Sequence, residues 1–241
     1  MTATEDIPTL AGTIRRSVEA KGWTLLPDFQ KDNDGGLRLL KLATFLGKVW
    51  PMRRDGSPLV ETCCDSDAPM WEPFNRPEAI GWHNDFSTWP KRPPLSLAWI
   101  RSAPQGNGGR GDWRVAKCLD VISLMERSTE GRRSLAFLRR NQLPFVFSPD
   151  EPAVHFRVFE SEVSSHVRFY GRAIRLGLTR YPIRRAAEMI EVWERHADMV
   201  GRRLTASLGA LLICDNRQSM HDRLEQMPGR SSGLMFVTTK E

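Results

Sequence analysis

The chain holds five histidines and 29 aspartates and glutamates among 241 residues. Two of the histidines stand two positions before a carboxylate, in His83-Asn84-Asp85 and His196-Ala197-Asp198. Chance alone supplies roughly 0.6 such pairs, so the spacing says little until the backbone is considered. His196 and Asp198 fall in a helix that the apolar periodicity predicts over 184–200. Residues two apart on a helix face opposite sides, so one ion cannot use both, and the pair reads as surface decoration. His83 and Asp85 lie in the run Trp82-His83-Asn84-Asp85-Phe86, ahead of the Pro93-Pro94 break, where an extended backbone is expected. In a strand, positions i and i+2 share a face, and an imidazole and a carboxylate can converge on one ion. Such a pair and one distant histidine make the two-histidine, one-carboxylate set that suits Fe(II) and leaves coordination positions open. The third ligand should come from a late strand folded back beside the first. His221 meets that requirement: it follows an apolar strand over 210–214 and the polar turn Asp215-Asn216-Arg217, where the chain leaves the core for a rim. His155 and His166 have no carboxylate at ligand spacing and read as packing or surface residues.

Other elements must place these groups. Apolar periodicity predicts helices over 7–22, 37–49, 119–126, 134–140 and 184–200. Strands are expected over 23–26, 59–62, 95–100, 144–147, 154–159, 203–207, 210–214 and 233–238, with a short one inside 81–89. Residues 50–80 read as loops and 104–111 as a Gly-rich turn. Short strands with helices before and between them indicate an α+β domain, taken to span 1–241. The glycines at 106–111 do not follow a strand in the GxGxxG pattern, which argues against a dinucleotide loop.

Bulk properties narrow the function class. Hydrophobic residues make up 40% and charged residues 27%, ordinary for a globular protein. No run approaches the roughly 18 apolar residues of a membrane span. The opening MTATEDIPTL lacks the basic-then-apolar block of a secretory signal, so a cytoplasmic protein without membrane partners is expected. Cys63, Cys64, Cys118 and Cys214 show no CxxC pair; they read as free thiols, with Cys118 and Cys214 buried. The net charge of +6 comes mainly from arginines scattered in pairs, such as Arg15-Arg16, Arg53-Arg54 and Arg132-Arg133. Pairs without a tract or a motif read as solvated faces and argue against a nucleic-acid partner.

Three ordered blocks then look familiar: GWHNDFSTWPKRPPLSLAWI, GNGGRGDWRVAKCLDVISLM and LGALLICDNRQSMHDR. Together with the early KGWTLLPDF, they resemble the taurine dioxygenase / clavaminate synthase-like superfamily over most of the chain. The resemblance implies a distorted double-stranded β-helix, a cupin-like jelly roll, with flanking helices. It places His83, Asp85 and His221 on the iron ligands. It implies Fe(II), O2 and 2-oxoglutarate, with hydroxylation or related C–H oxidation of a small polar molecule. Related halogenases have Ala or Gly at the carboxylate position, so Asp85 implies oxygen transfer or dehydrogenation instead. Two positions depart from the family pattern. Trp113 stands where a threonine usually helps to hold 2-oxoglutarate, and Met235 stands where an arginine of the last strand usually anchors its far carboxylate. A buried carboxylate needs a cation; Arg230 is the first choice for that role, Arg223 the second, and Arg114 a further candidate. These departures keep two other readings open: an iron-dependent oxidase or oxygenase of the same fold that does not use 2-oxoglutarate, and a non-catalytic cupin-like binding protein.

Overall fold

The computed structural model describes residues 6–32, 34–52, 56–104, 109–161 and 164–238. The first half runs α1 (Ile7–Lys21), β1 (Trp23–Leu26), α2 (Leu37–Leu46), β2 (Lys48–Val49), β3 (Val60–Cys63), β4 (Leu95–Ser102) and β5 (Trp113–Lys117). Then come α3 (Cys118–Met125), α4 (Thr129–Arg140), β6 (Gln142–Phe145), β7 (Val154–Arg157), α5 (Gly171–Arg180) and α6 (Ala186–Val200). The chain closes with β8 (Arg202–Leu204), β9 (Leu211–Asp215), β10 (Ser219–Arg223) and β11 (Ser231–Thr238).

Local chemistry accounts for the ends of the first helices. The Asp6 carboxylate accepts the backbone N–H of Thr9 and caps α1, whose buried stripe is Leu10, Ala11, Ile14 and Val18. Gly22, left-handed at φ 81°, ends the helix. The second helix stops at Leu46 and does not reach 49. A Cβ at Gly47 would run into the carbonyl oxygen of Thr238, and Lys48 and Val49 pair with the end of β11 instead. The helix that the sequence continues to 49 is therefore cut short by a strand that only tertiary contact brings near.

Every strand pair is antiparallel. Six strands form the larger sheet in the order β1-β9-β4-β11-β2, with β3 also alongside β11. A smaller sheet has the order β10-β5-β8, and β6 pairs with β7. Alternation along the central strands sorts residues to two faces. Leu97, Trp99, Leu211, Ile213, Met235 and Val237 pack on one side with α1 and α2. Ile100, Leu212 and Cys214 pack on the other side with Trp113 and Val115 of β5. The second sheet thus closes over the inner face of the first, and α3 to α6 build a further core around Val121, Leu138, Ile190 and Trp193.

Among the described residues no helix is long and apolar enough to cross a membrane. Cys118 and Cys214 are buried as expected, Cys64 is buried too, and all four thiols are free. The pairs Arg15-Arg16, Arg132-Arg133, Arg184-Arg185 and Arg202-Arg203 are exposed, while Arg53-Arg54 lies outside the described residues. Positions 105–108 of the Gly-rich turn also lie outside them.

Leu42 is fully buried in the layer between α2 and the large sheet. Leu42→Ala should lower unfolding free energy by about 2–5 kcal/mol in denaturant titration. The folded variant should keep its metal affinity, because this layer lies behind the sheet.

Candidate metal centre

Two peptide hydrogen bonds place the histidines. The His83 N–H donates to the His221 carbonyl at 3.0 Å, and the His221 N–H donates back to the His83 carbonyl at 3.0 Å. This reciprocal pair brings the two imidazoles to a centroid separation of 4.3 Å. His221 lies in the middle of β10, opposite Val115 of β5, and not at a rim after the turn. The segment 81–89 differs from its expected strand. Only His83 is extended, bridging Tyr170 and His221; the chain then turns, with the Trp89 N–H donating to the Phe86 carbonyl at 2.9 Å. Phe86 is left-handed at φ 57°, which is uncommon for a bulky side chain and marks a conformation imposed by its surroundings.

Two buried asparagines impose it. The Asn216 carboxamide, 0% exposed, accepts the Asp85 N–H at 2.7 Å and donates to the carbonyls of Asp85 at 2.9 Å and Pro93 at 3.0 Å. Asn84, 1% exposed, donates to the Ser219 carbonyl at 2.7 Å and accepts the Phe169 N–H at 2.9 Å. Each asparagine replaces the ladder bonds that a strand would have supplied, so the turn can hold Asp85 where β geometry would not. Neither asparagine is legible as a positioning residue from its own segment: Asn84 lies between two of the proposed ligands and Asn216 in the turn five residues before the third.

The three donors then meet. His83 Nε2 is 3.8 Å from Asp85 Oδ1, and His221 Nε2 is 3.3 Å from Asp85 Oδ2. One donor atom from each residue lies within 4.8 Å of the others. Donors around one ion at ordinary bond lengths stand roughly 3 Å apart, so a small adjustment of side chains would close the set. His83 Nδ1 is 2.8 Å from the Gly81 carbonyl, an atom that only accepts, so Nδ1 carries the proton and Nε2 offers its lone pair. Burial and the neighbouring His221 push the His83 pKa down to about 4, which keeps that lone pair free at neutral pH. Burial alone would raise the Asp85 carboxyl, but His221, His83 and the Ser96 hydroxyl hold it below its ordinary value. Burial opposes a proton on His221, yet the Asp85 carboxylate holds its pKa well above the usual imidazole range. The cluster therefore favours positive charge at its centre.

A polar network supports the loop before His83. Buried Asp222 accepts the Gly81 N–H at 2.8 Å and the Arg114 Nη2–H at 2.6 Å. Arg114 also donates to Asp198 at 2.6 Å, and Asp198 accepts the Trp82 indole N–H at 2.8 Å. Arg114 is thus committed to two acids and does not enter the cavity. His196 turns to the Val192 carbonyl at 2.7 Å, away from Asp198. Asp198 is more than decoration, since it pins the residue next to His83.

Two other arginines line the cavity beside the donor set. A cavity of about 50 Å3 is lined by His83, Asp85, His221, Arg223, Arg230 and Ser232 among others. Arg230 is 3% exposed. It donates to Gln226 at 3.1 Å, to the Ser232 hydroxyl at 3.2 Å and to the Gly111 carbonyl at 2.9 Å. Burial lowers its pKa to about 10, which still leaves a cation at neutral pH. Gly111 permits this approach: a Cβ there would lie 2.6 Å from Arg230 Nε. The glycine run thus makes room for a guanidinium. Trp113 lies beneath it, with the guanidinium carbon 6.0 Å from the ring centroid. Arg223, 5% exposed, donates to the carbonyls of Pro73, Arg76, Glu78 and Leu224 at 2.8–3.0 Å. A second cavity of about 320 Å3 meets the first along His83, Asp85, Thr62, Phe74 and Phe236.

His83→Ala, Asp85→Ala and His221→Ala should each abolish stoichiometric Fe(II) binding in anaerobic titration, while His196→Ala should bind normally. Asn216→Ser, which loosens the Asp85 turn without touching a donor, should weaken Fe(II) about ten- to a hundredfold. Normal metal occupancy in His221→Ala would refute the donor assignment.

No family model matches the chain, and no curated protein does. Solved structures do. An asparagine oxygenase in complex with Fe(II), 3-hydroxyasparagine and succinate aligns at TM-score 0.76 and 19% identity, over 97% of this chain and 79% of that one. The non-haem iron oxygenase OrfP, in complex with Fe and alpha-ketoglutaric acid, aligns at TM-score 0.68 and 15% identity, over 99% and 84%. A taurine dioxygenase from Burkholderia xenovorans aligns at TM-score 0.66 and 14% identity, over 100% and 85%. The chain has the fold of these oxygenases.

Proposed function

We propose that the chain is a single domain over 1–241 with a distorted double-stranded β-helix core, and that it is an Fe(II)- and 2-oxoglutarate-dependent oxygenase. Its iron ligands are His83, Asp85 and His221, and Arg230 anchors the co-substrate. One observation carries the reading: a buried guanidinium lines the same cavity as a two-histidine, one-aspartate donor set. Among the described residues Arg230 has no carboxylate within ion-pair distance. A buried cation without an acid calls for an anion from outside. The structural relatives support the choice, since an asparagine oxygenase and OrfP have been solved with iron together with succinate or alpha-ketoglutaric acid.

Fe(II), when bound, supplies the site where O2 is reduced with electrons from 2-oxoglutarate, which leaves as succinate and CO2 while a C–H bond is oxidised. The chain's own residues do the positioning. Arg230 offers a planar fork to the far carboxylate, and Ser232, which accepts from that fork, adds its own hydroxyl donor. Gln226 and Trp113 hold the guanidinium in place, so Trp113 stabilises the anchor where the resembled family has a threonine. The two terminal nitrogens of Arg223 are engaged by backbone carbonyls, and its charge contributes positive potential. The non-catalytic reading has little support from a complete donor set next to an open anion site. Four free thiols fit a reducing cytoplasm.

Anaerobic titration of Fe(II)-loaded protein with 2-oxoglutarate should develop the weak visible charge-transfer band of the chelate. Removing a buried partner of this kind costs about 3–5 kcal/mol, or two to four decades in affinity. Arg230→Ala should therefore raise the 2-oxoglutarate constant at least about a hundredfold with iron retained, and Arg230→Lys should not restore it. If Arg223→Ala alone has this effect, the anchor is Arg223. O2 and substrate consumption without succinate release would mean iron chemistry that does not use 2-oxoglutarate.

A further inference from the structure

The outer cavity has its own chemistry. Phe74, Phe86, Trp89, Phe147, Tyr170 and Phe236 line it. The rings are held edge to face: Phe86 meets Phe236 at 4.8 Å and Trp89 at 5.3 Å, both at 88°. Trp89 is among the most exposed large apolar residues, at 53%, an arrangement that suits a ligand-facing ring more than a packed one. Among the described residues no arginine or lysine lines this cavity, and the only carboxylates are those of Asp85, at the donor set, and Glu151. Glu151 is exposed and forms no ion pair among the described residues. Two arginines brace the adjoining loops through backbone carbonyls without lining the cavity. Arg168 donates to the carbonyls of Ser87, Trp89 and Pro90, and Arg180 to those of Pro149 and Glu151.

We infer that the outer cavity takes a substrate with an apolar body and one ammonium group, and disfavours a carboxylate or sulfonate there. Aromatic faces attract a cation, Glu151 adds a negative charge without an ion-pair partner among the described residues, and no described residue of the wall neutralises an anion. The two chambers thus divide by charge: the inner one holds the anionic co-substrate on Arg230, and the outer one selects a cation. This sharpens the small polar molecule of the resemblance to an amine. It also separates this chain from a taurine dioxygenase, whose named substrate carries a sulfonate.

The inference rests on the oxygenase reading for the identity of the outer cavity as the substrate chamber, but its test needs no turnover. Phenethylamine and 3-phenylpropionate, similar in skeleton and opposite in charge, would be titrated anaerobically into protein loaded with Fe(II) and 2-oxoglutarate. Binding is read by tryptophan fluorescence and calorimetry. The amine should bind about tenfold more tightly than the acid, and Glu151→Gln should cut that preference several-fold. Equal or tighter binding of the acid, no measurable binding of the amine, or a preference unmoved in Glu151→Gln would overturn it. The charge-transfer titration of the wild type decides the oxygenase reading separately. If that band is absent, the same two probes titrated into metal-free protein still decide the charge preference of the cavity.

Discussion

The reciprocal peptide bond pair between His83 and His221 is the constraint on which the site depends. It joins a loop that has almost no ladder of its own to the middle of β10, which is held against β5 by five register pairs. The loop borrows its rigidity from that sheet. Once His83 is fixed, Asn84 and Asn216 set the following turn, and Asp85 can only point back toward the two imidazoles. A regular strand would place His83 and Asp85 on one face but leave both backbones committed to neighbours. The turn places them on one centre and frees the space beyond Phe86 for a cavity.

Strand parity then organises the charges. Along β11 and the residue before it, Arg230, Ser232, Leu234 and Phe236 face the cavities, while Met235 and Val237 face the helices. Met235 could not be replaced by an inward arginine without turning the whole strand over. The buried cation of this cavity instead lies earlier on the same face, at Arg230, and Gly111 leaves the space that its guanidinium occupies. The cavity next to the donors is positive at its deep end and aromatic at its open end. That order lets an anion be buried only where a cation awaits it.

The sequence by itself determined the elements whose faces follow local periodicity and the residue types able to bind iron. Trp23–Leu26 is a strand in both readings, and helix α1 ends at Gly22 because only a left-handed residue without a side chain serves there cheaply. His196 and Asp198 could be set aside on helical geometry alone. What the sequence could not show were features that rest on contact between distant segments. Helix α2 yields to β2 because of Thr238, and the strand expected around His83 became a turn held by Asn216. The ranking of the arginines was also beyond it. Arg114, Arg223 and Arg230 are alike as letters, and only their partners differ: two acids for the first, backbone carbonyls for the second, and no acid for the third. Backbone preference is set within a few residues, whereas the charge state and freedom of a buried group depend on every neighbour that folding brings to it.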